Sequence, residues 1–369
     1  MHIGIPKEIK DHEFRVAATP SGVTELVRGG HVVSIQADAG TAVGFPDAAY
    51  RAAGARVVDD IAEVYAAELV FKVKEPQANE VELLRPGQWL FCYLHLAAAP
   101  ELARALLDRR VTALAFETVL DKAGHTPLLA PMSQIAGRLA IQAGMQALEM
   151  KHGGRGVLLS GVPGVPPAKV VILGGGMVGA NAARIAVGLG AEVTVLDRGA
   201  DRLRAFDEQY GGRLKTRYSH EDSIVDCLEG ADLMVGAAYI HGRRAPRLLS
   251  REMLRAMPRG AALVDVAIDQ GGMAETSRPT THSDPFYVEE GIVHYCVANM
   301  PGAVARTATL ALAEATLPYL LRLLAHPREA LETDPGLATG VNLASGRITH
   351  VGLALDLGEP VADWRDQVR

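Results

Sequence analysis

The chain has 369 residues, of which 49% are hydrophobic, 22% charged and 5% aromatic, with a formal net charge of −6 at pH 7. This composition excludes a disordered chain and a chain-wide basic field for nucleic acid. The length allows about two domains, and the 38 glycines point to tight turns and close backbone approaches.

The three cysteines, Cys92, Cys227 and Cys296, are odd in number and show no C-x-x-C spacing. Neither a disulfide framework nor a zinc site is suggested. Cys92 and Cys296 lie in apolar runs and read as small core residues. The first fifteen residues carry no signal-peptide apolar run. The charge-free runs 156–168 and 170–183 are too short for a membrane helix of about 20 residues. A protein of the reducing cytoplasm, without membrane or nucleic-acid partners, is expected.

Short apolar runs alternate with longer helical patterns, which predicts an α/β fold with mainly parallel sheets. Strands are predicted at 2–5, 32–37, 69–74, 90–94 and 112–116. Ser133 reads as the N-cap of a helix over 134–150. The Gly- and Pro-dense stretch 153–167 reads as a loop before a new α/β unit. That unit has predicted strands at 170–173, 192–196, 233–237, 262–268 and 293–297. A helix over 303–325 follows, with Leu310, Leu317, Leu321 and Leu324 at helical spacings and Pro318 as a kink.

The β-branched strand Val170-Val-Ile-Leu173 runs directly into Gly174-Gly-Gly176-Met-Val-Gly179 and then a helix. Val178, Ala182, Ile185 and Leu189 form the predicted apolar face of that helix, and Gly190 ends it. Gly174 permits the tight turn, Gly176 leaves room for a pyrophosphate, and Gly179 allows close helix–strand packing. The helix N-terminus presents N–H groups to phosphate. Asp197 ends the next strand, where a carboxylate accepts ribose hydroxyls and repels an additional phosphate. The pattern points to NAD, although the neighbouring Arg198 would suit a 2′-phosphate.

Three ionisable residues stand at the C-terminal tips of predicted strands in the first third: Lys74, His95 and Glu117. In open α/β sheets, ligands bind at those strand ends. Taken singly, the lysine reads as a surface charge and the histidine as structural; together, opposite a dinucleotide site, they form a catalytic constellation. Arg15 carries a guanidinium able to grip a substrate carboxylate bidentately. Asp269 ends the strand at 262–268 and either faces the nicotinamide region or caps the turn made with Gly271 and Gly272. Asp265, inside that strand, reads as a structural hydrogen-bonding partner.

These residues, in this order, resemble the alanine dehydrogenase family. The matching stretches include Gly4-Ile-Pro-Lys-Glu8, Phe14-Arg-Val16, Lys72-Val-Lys-Glu-Pro76, Leu94-His-Leu96 and Ala130-Pro-Met-Ser133. They continue through the glycine turn to Asp265-Val-Ala-Ile-Asp-Gln-Gly-Gly272, Arg278-Pro-Thr-Thr281 and Val297-Ala-Asn-Met-Pro301. The resemblance covers essentially the whole chain. It implies reversible, NAD-dependent oxidative deamination of L-alanine to pyruvate and ammonia. It further implies two Rossmann-like domains, with an NAD-binding domain (129–305) inserted into a discontinuous substrate domain (1–128 plus 306–369), and a homohexamer.

By the same resemblance, Arg15 and Lys74 bind substrate, His95 is the general acid/base, and Asp269 assists proton transfer. Cofactor contacts are implied for Ser133, Gly174, Gly176, Met177, Val178, Gly179, Asp197, Arg202, Ser219, Ala238, Tyr239, Val266, Ala267, Ile268, Arg278, Val297, Ala298, Asn299 and Met300. The chain departs from the family at Tyr239–His241, a segment that resemblance places near the nicotinamide. It also has Arg322 where some members carry a glutamate four residues before the histidine at His326, so no metal is expected. Two alternatives stay open: a dehydrogenase of another small amino acid, and a non-catalytic NAD-binding subunit like that of transhydrogenase. Lys74 and His95 count against the second. A saccharopine-type dehydrogenase shares the two-domain plan but not these motifs.

Overall fold

The structure, a computed structural model, describes residues 1–238 and 245–368. In chain order its strands are β1 (His2–Ile5), β2 (Val32–Gln36), β3 (Arg56–Val58), β4 (Leu69–Phe71), β5 (Trp89–Cys92), β6 (Thr112–Ala115), β7 (Lys169–Leu173) and β8 (Glu192–Asp197). They continue as β9 (Leu214–Tyr218), β10 (Leu233–Gly236), β11 (Ala262–Asp265), β12 (Phe286–Glu289), β13 (Ile292–Tyr295), β14 (Val341–Ala344) and β15 (Arg347–Ile348).

The chain divides into two compact units, the first built from residues 1–132 and 302–368 and the second from 133–238 and 245–301. The first unit holds an eight-stranded sheet in the order β15-β14-β6-β5-β4-β1-β2-β3. Strands β1 to β6 pair in parallel, and β14 and β15 close the edge antiparallel. The order reverses between β1 and β4, so the ends of these two strands flank a topological switch point, where open α/β sheets take ligands. The second unit holds a seven-stranded sheet, β12-β13-β11-β10-β7-β8-β9, parallel except for β12. Its reversal lies between β7 and β10, beside the glycine turn. Both sheets are α/β layers with near-continuous apolar central strands, as parallel strands covered on both faces require.

Several predicted elements move. The helix beginning near residue 130 spans Ala130–Ala147, so Ser133 lies inside it rather than capping it. Strand β4 stops at Phe71, and β11 stops at Asp265, where a 3-10 turn, Val266–Gln270, takes over. Strands β3, β9, β12, β14 and β15 were not expected from local pattern. Each is short or only partly buried along its length, apart from β14, and lies at or next to a sheet edge.

Helix faces differ more instructively. In Met177–Gly188 the buried residues are Gly179, Ala182, Ala183 and Ala186, while Leu189 is 39% exposed. The close approach that Gly179 allows sets the small side chains against the sheet. Val178 and Ile185 pack at its margin. In Ala305–Ala325, Leu312, Leu320, Leu323 and Leu324 are buried with Ala308 and Thr316, whereas Leu310 is 43% exposed. This helix is apolar nearly all round, so periodicity alone cannot choose its inner face. With the preceding 3-10 turn it forms a helical span, Met300–Ala325, long and apolar enough to cross a membrane by length and composition, a property the charge-free runs did not reveal. It continues through Pro318 as one helix.

Candidate functional site

In the first unit, three neighbouring parallel strands end in line. Lys74 stands three residues past the end of β4, and His95 stands three past the end of β5. Glu117 lies in the 3-10 turn Phe116–Thr118 that leaves β6. These strands are adjacent in the sheet, so the structure brings the three residues to one edge of it.

His95 adopts a left-handed backbone, φ 48°, which costs a non-glycine residue about 1–2 kcal/mol. Glu117 offsets that cost: its carboxylate accepts the N–H of His95 at 2.6 Å and that of Leu94 at 3.3 Å. Its Oε1 also lies 3.9 Å from His95 Nδ1. The imidazole is stacked parallel to the Tyr93 ring at 5.8 Å. Tyr93 is fixed at its far end by donating to the Leu128 carbonyl at 2.5 Å. Burial and the nearby Glu117 push the Tyr93 hydroxyl's pKa up, against the pull of Arg15, so it stays protonated.

Lys74 is buried, and its ammonium lies 3.5 Å from Glu75 Oε2. Glu75 also takes a 2.5 Å hydrogen bond from Lys10. Burial pushes the Glu75 carboxyl up, but Lys74 and Lys10 outweigh it and hold the pKa at about 2. Lys72 is 1% exposed. Its ammonium donates to Glu8 at 2.9 Å and to the Lys74 carbonyl at 3.1 Å, and lies 3.4 Å from Glu80. Burial alone would lower the Lys72 pKa; the two carboxylates raise it instead. Glu80 accepts from Tyr65 at 2.9 Å.

Arg15 is 2% exposed. Sequence reading expected its fork to be available for a substrate carboxylate. Its Nε and Nη2 instead donate to Glu13 at 2.7 and 2.5 Å, and Nη1 faces Met132 Sδ at 3.1 Å. One edge of the fork is therefore spent on Glu13, which also accepts the Arg15 backbone N–H at 3.0 Å. Sequence reasoning missed Glu8, Glu13, Lys72, Glu80 and Tyr93 as members of this cluster. Glu8 and Lys72 were visible inside matched motifs, but nothing local showed that residues 64 apart would pair.

The second unit works through its backbone. Gly174 has φ 106°, a conformation that suits glycine, and a Cβ there would press on the Ala237 carbonyl. A Cβ on Gly179 would collide with the Gly174 carbonyl oxygen, whereas a Cβ on Gly176 would meet open space. Gly176 thus leaves the approach clear at the N-cap of the helix Met177–Gly188. The turn, the helix start and the open approach fit a dinucleotide phosphate. Asp197 ends β8 and accepts the N–H groups of Gly175 and Gly199, each at 2.7 Å. Arg202 lies 3.4 Å from it, and Ser219 donates its N–H to the Asp197 carbonyl at 3.0 Å. Sequence reading gave Asp197 only to ribose hydroxyls; the carboxylate also ties the glycine turn to the next loop. A carboxylate offers about four lone-pair sites; those not taken by the two short N–H bonds carry only the long Arg202 contacts at 3.4 and 3.5 Å, so a ribose hydroxyl would compete with Arg202 there.

Asp265 is fully buried and accepts from Ser277 Oγ and Met273 N at 2.6 Å, Ala267 N at 3.1 Å and Ala274 N at 3.4 Å. Burial pushes its carboxyl up and these four donors pull it back. It is the structural partner expected from its place in the strand. Asp269 lies within the turn Val266–Gln270, beside Val266, Ala267 and Ile268, and its two oxygens accept the Asn299 N–H at 3.2 and 3.3 Å. Asn299 has φ 71°. That bond joins the Asp269 turn to the segment carrying Val297, Ala298 and Met300. Ala298 donates to the Thr280 carbonyl at 3.1 Å, and Ala238 N–H points at Met273 Sδ at 3.2 Å. Met177 and Val178 open the helix after the glycine turn. Ser133 and Arg278 stand on other elements, and the Arg278 guanidinium stacks 3.9 Å over Tyr287. Tyr239 and the divergent loop Tyr239–His241 lie outside the described residues.

Among the described residues no group of three or more His, Cys, Asp and Glu side chains gathers as a metal site. Arg322 makes a 2.6 Å ion pair with Asp334.

Comparison with known proteins gives one answer. Residues 4–136 match the description "Alanine dehydrogenase/PNT, N-terminal domain", and residues 140–351 match "Alanine dehydrogenase/PNT, C-terminal domain". An alanine dehydrogenase of Halomonas elongata is 54% identical over 360 residues, covering 97% of both chains. A solved L-alanine dehydrogenase superposes with a TM-score of 0.90 at 49% identity, over 97% of this chain and 99% of that one. A transhydrogenase from Sinorhizobium meliloti superposes with a TM-score of 0.77 at 25% identity, over 95% of this chain and 99% of that one.

Proposed function

The chain belongs to the alanine dehydrogenase family, and from that membership we propose that it interconverts L-alanine with pyruvate and ammonia. NAD, when bound, supplies the hydride acceptor. We assign residues 1–128 and 306–369 to substrate and residues 129–305 to the dinucleotide.

The observation that carries the reading is the placement of Lys74 and His95 at corresponding points past neighbouring parallel strands. A transhydrogenase-like, non-catalytic subunit has no use for that pair. In this reading Arg15, oriented by Glu13, holds the substrate carboxylate. The Lys74 ammonium stabilises negative charge on the substrate oxygen. His95 moves the protons that accompany imine formation, water attack and loss of ammonia. Asp269 assists proton transfer. The glycine turn with Met177 and Val178 receives the pyrophosphate, and Asp197, Arg202 and Ser219 read the adenosine ribose. The remaining family positions, Ser133, Ala238, Val266, Ala267, Ile268, Arg278 and Val297 to Met300, complete the cofactor contacts.

We also propose a cytoplasmic homohexamer. All three cysteines are free thiols, which suits a reducing compartment. Met150, Leu158, Val162, Val165 and Val288 of the second unit are 52–74% exposed, which suits burial against other copies. Light scattering on the purified protein checks the assembly.

The deciding experiment follows NADH absorbance with a panel of small L-amino acids and with NAD or NADP. Turnover with alanine and NAD is expected. Silence with alanine beside robust turnover of another amino acid would overturn the substrate.

A further inference from the structure

Two buried carboxylates perform the same task on neighbouring strands. Glu8, on the segment leaving β1, accepts the N–H of Val73 at 2.6 Å and of Lys74 at 3.4 Å. Glu117, on the turn leaving β6, accepts the N–H of Leu94 at 3.3 Å and of His95 at 2.6 Å. The strand order β6-β5-β4-β1 puts each carboxylate just outside the strand whose end it holds. In both cases the held pair comprises the candidate functional residue and the residue before it.

The Lys74 end is fastened twice. Glu8 accepts its N–H, and Lys72, which pairs with the other Glu8 oxygen at 2.9 Å, donates to its carbonyl at 3.1 Å. Both backbone polar groups of Lys74 are thus held by one buried ion pair. The His95 end is fastened at a left-handed φ that the unheld chain would avoid.

Stability accounts for only part of this arrangement. The buried N–H groups need an acceptor, but a neutral side-chain oxygen would serve, and a buried ion pair can often be replaced without loss. Catalysis does call for it, because a side chain displaced by about 1 Å can lose about 100-fold in rate.

We propose that Glu8, acting with Lys72, and Glu117 are positioning residues that fix the backbones of Lys74 and His95 before substrate arrives. The proposal rests on the functional reading above, in which Lys74 and His95 act on substrate.

The test compares Glu117→Ala, Glu117→Gln, Glu117→Asp and Glu8→Gln in the full-length protein. Glutamine keeps an oxygen that accepts both N–H groups, so Glu117→Gln is expected to retain kcat within about threefold. Glu117→Ala is expected to lose about 100-fold in kcat. The KM for NAD and the NADH affinity should not change. Deuterium exchange at the Leu94 and His95 amides should quicken. Glu8→Gln should spare most of kcat by the same logic, with the KM for alanine rising severalfold as the Lys72 pairing weakens. If Glu117→Ala does not fold, Glu117→Asp decides: drawing the oxygens back by one methylene while keeping the charge should still cost about tenfold or more.

Parental kcat in folded Glu117→Ala or Glu117→Asp overturns the proposal, as does equal loss in the alanine and glutamine variants. His95→Ala run in parallel separates the two possible failures. An inactive His95→Ala beside a fully active Glu117→Ala overturns the positioning role alone. An active His95→Ala overturns the functional reading, while exchange at the His95 amide still reports whether Glu117 holds it.

Discussion

The two units solve the same problem, presenting polar groups at the ends of parallel strands, with different materials. The first gathers charged side chains from distant segments and buries them in pairs: Glu8 with Lys72 and Glu80, Glu13 with Arg15, Glu75 with Lys74 and Lys10. The second uses glycines, a helix N-terminus and backbone N–H groups, with Asp197 and Asp265 serving mainly as acceptors for that backbone. In the function proposed above, the difference follows from what each has to hold. A dinucleotide phosphate is an extended anion that many amide dipoles can share. A small amino acid offers few atoms, so its partners must be strong, few and rigidly aimed.

The contrast can be broken most forcefully at Lys72. Replacing it by methionine keeps much of the volume but leaves Glu8 and Glu80 buried without their cation. A loss of about 3–5 kcal/mol is expected, read as a lower urea midpoint. Parental stability in Lys72→Met would show that the buried charges of the first unit are as dispensable as surface pairs.

Acid titration tests the same unit next. The Glu75 carboxyl is held at about 2, below its ordinary 4.5, by Lys74 and Lys10 against the effect of burial. Its folded pKa is depressed, so its contribution is full above pH 4.5 and is lost as pH falls toward 2. The contribution is about 3 kcal/mol. Glu75→Gln should flatten the acid limb of the stability curve in that window, and an unchanged limb would refute the pairing. The second unit carries a contrasting group in His294, which is buried, bonded to Thr276 at 2.7 Å and lowered in pKa chiefly by burial. Its stabilisation is also full above its ordinary 6.5 and declines below it, so His294→Asn should soften the loss between neutral and mildly acidic pH.

In the second unit the sensitive atoms are those of the backbone. Gly179→Ala places a Cβ against the Gly174 carbonyl oxygen. A loss of about 1–3 kcal/mol in stability is expected, with weaker NADH binding by fluorescence titration. The smallest effect is expected at Asp197→Ala. It should narrow the preference for NAD over NADP by about tenfold, the equivalent of about 1.4 kcal/mol. Unchanged selectivity would leave Asp197 as a purely structural brace for Gly175 and Gly199.

Legibility in the sequence divides along the same line. Strand β7, the glycine turn, its helix and the terminal Asp197 lie within 29 residues, so order and spacing alone expose them. The alternation of strands and helices likewise exposes the α/β class. In the first unit the strand ends at Lys74, His95 and Glu117 can be read, but their partners cannot. Glu8 meets Lys72 across 64 residues and Glu117 meets His95 across 22. A local pattern carries no information about such pairs. The spent edge of Arg15 was missed for a different reason: Glu13 is only two residues away, yet only the folded backbone turns its carboxylate onto the fork.

What the sequence by itself determined is whatever depends on neighbours in the chain: the strands of the central ladders, the phosphate-type turn, and the residues at the strand ends. Tertiary structure decided what depends on neighbours in space. It put the alanines of Met177–Gly188 and not Leu189 against the sheet, turned Leu310 outward in a helix apolar all round, and closed the first sheet with β14 and β15 from the far end of the chain. Hydrophobic periodicity says that a face must be covered, but close packing selects the face whose shapes fit. A charge can be buried only where a partner arrives from elsewhere in the fold, and the structure alone shows which partner does so.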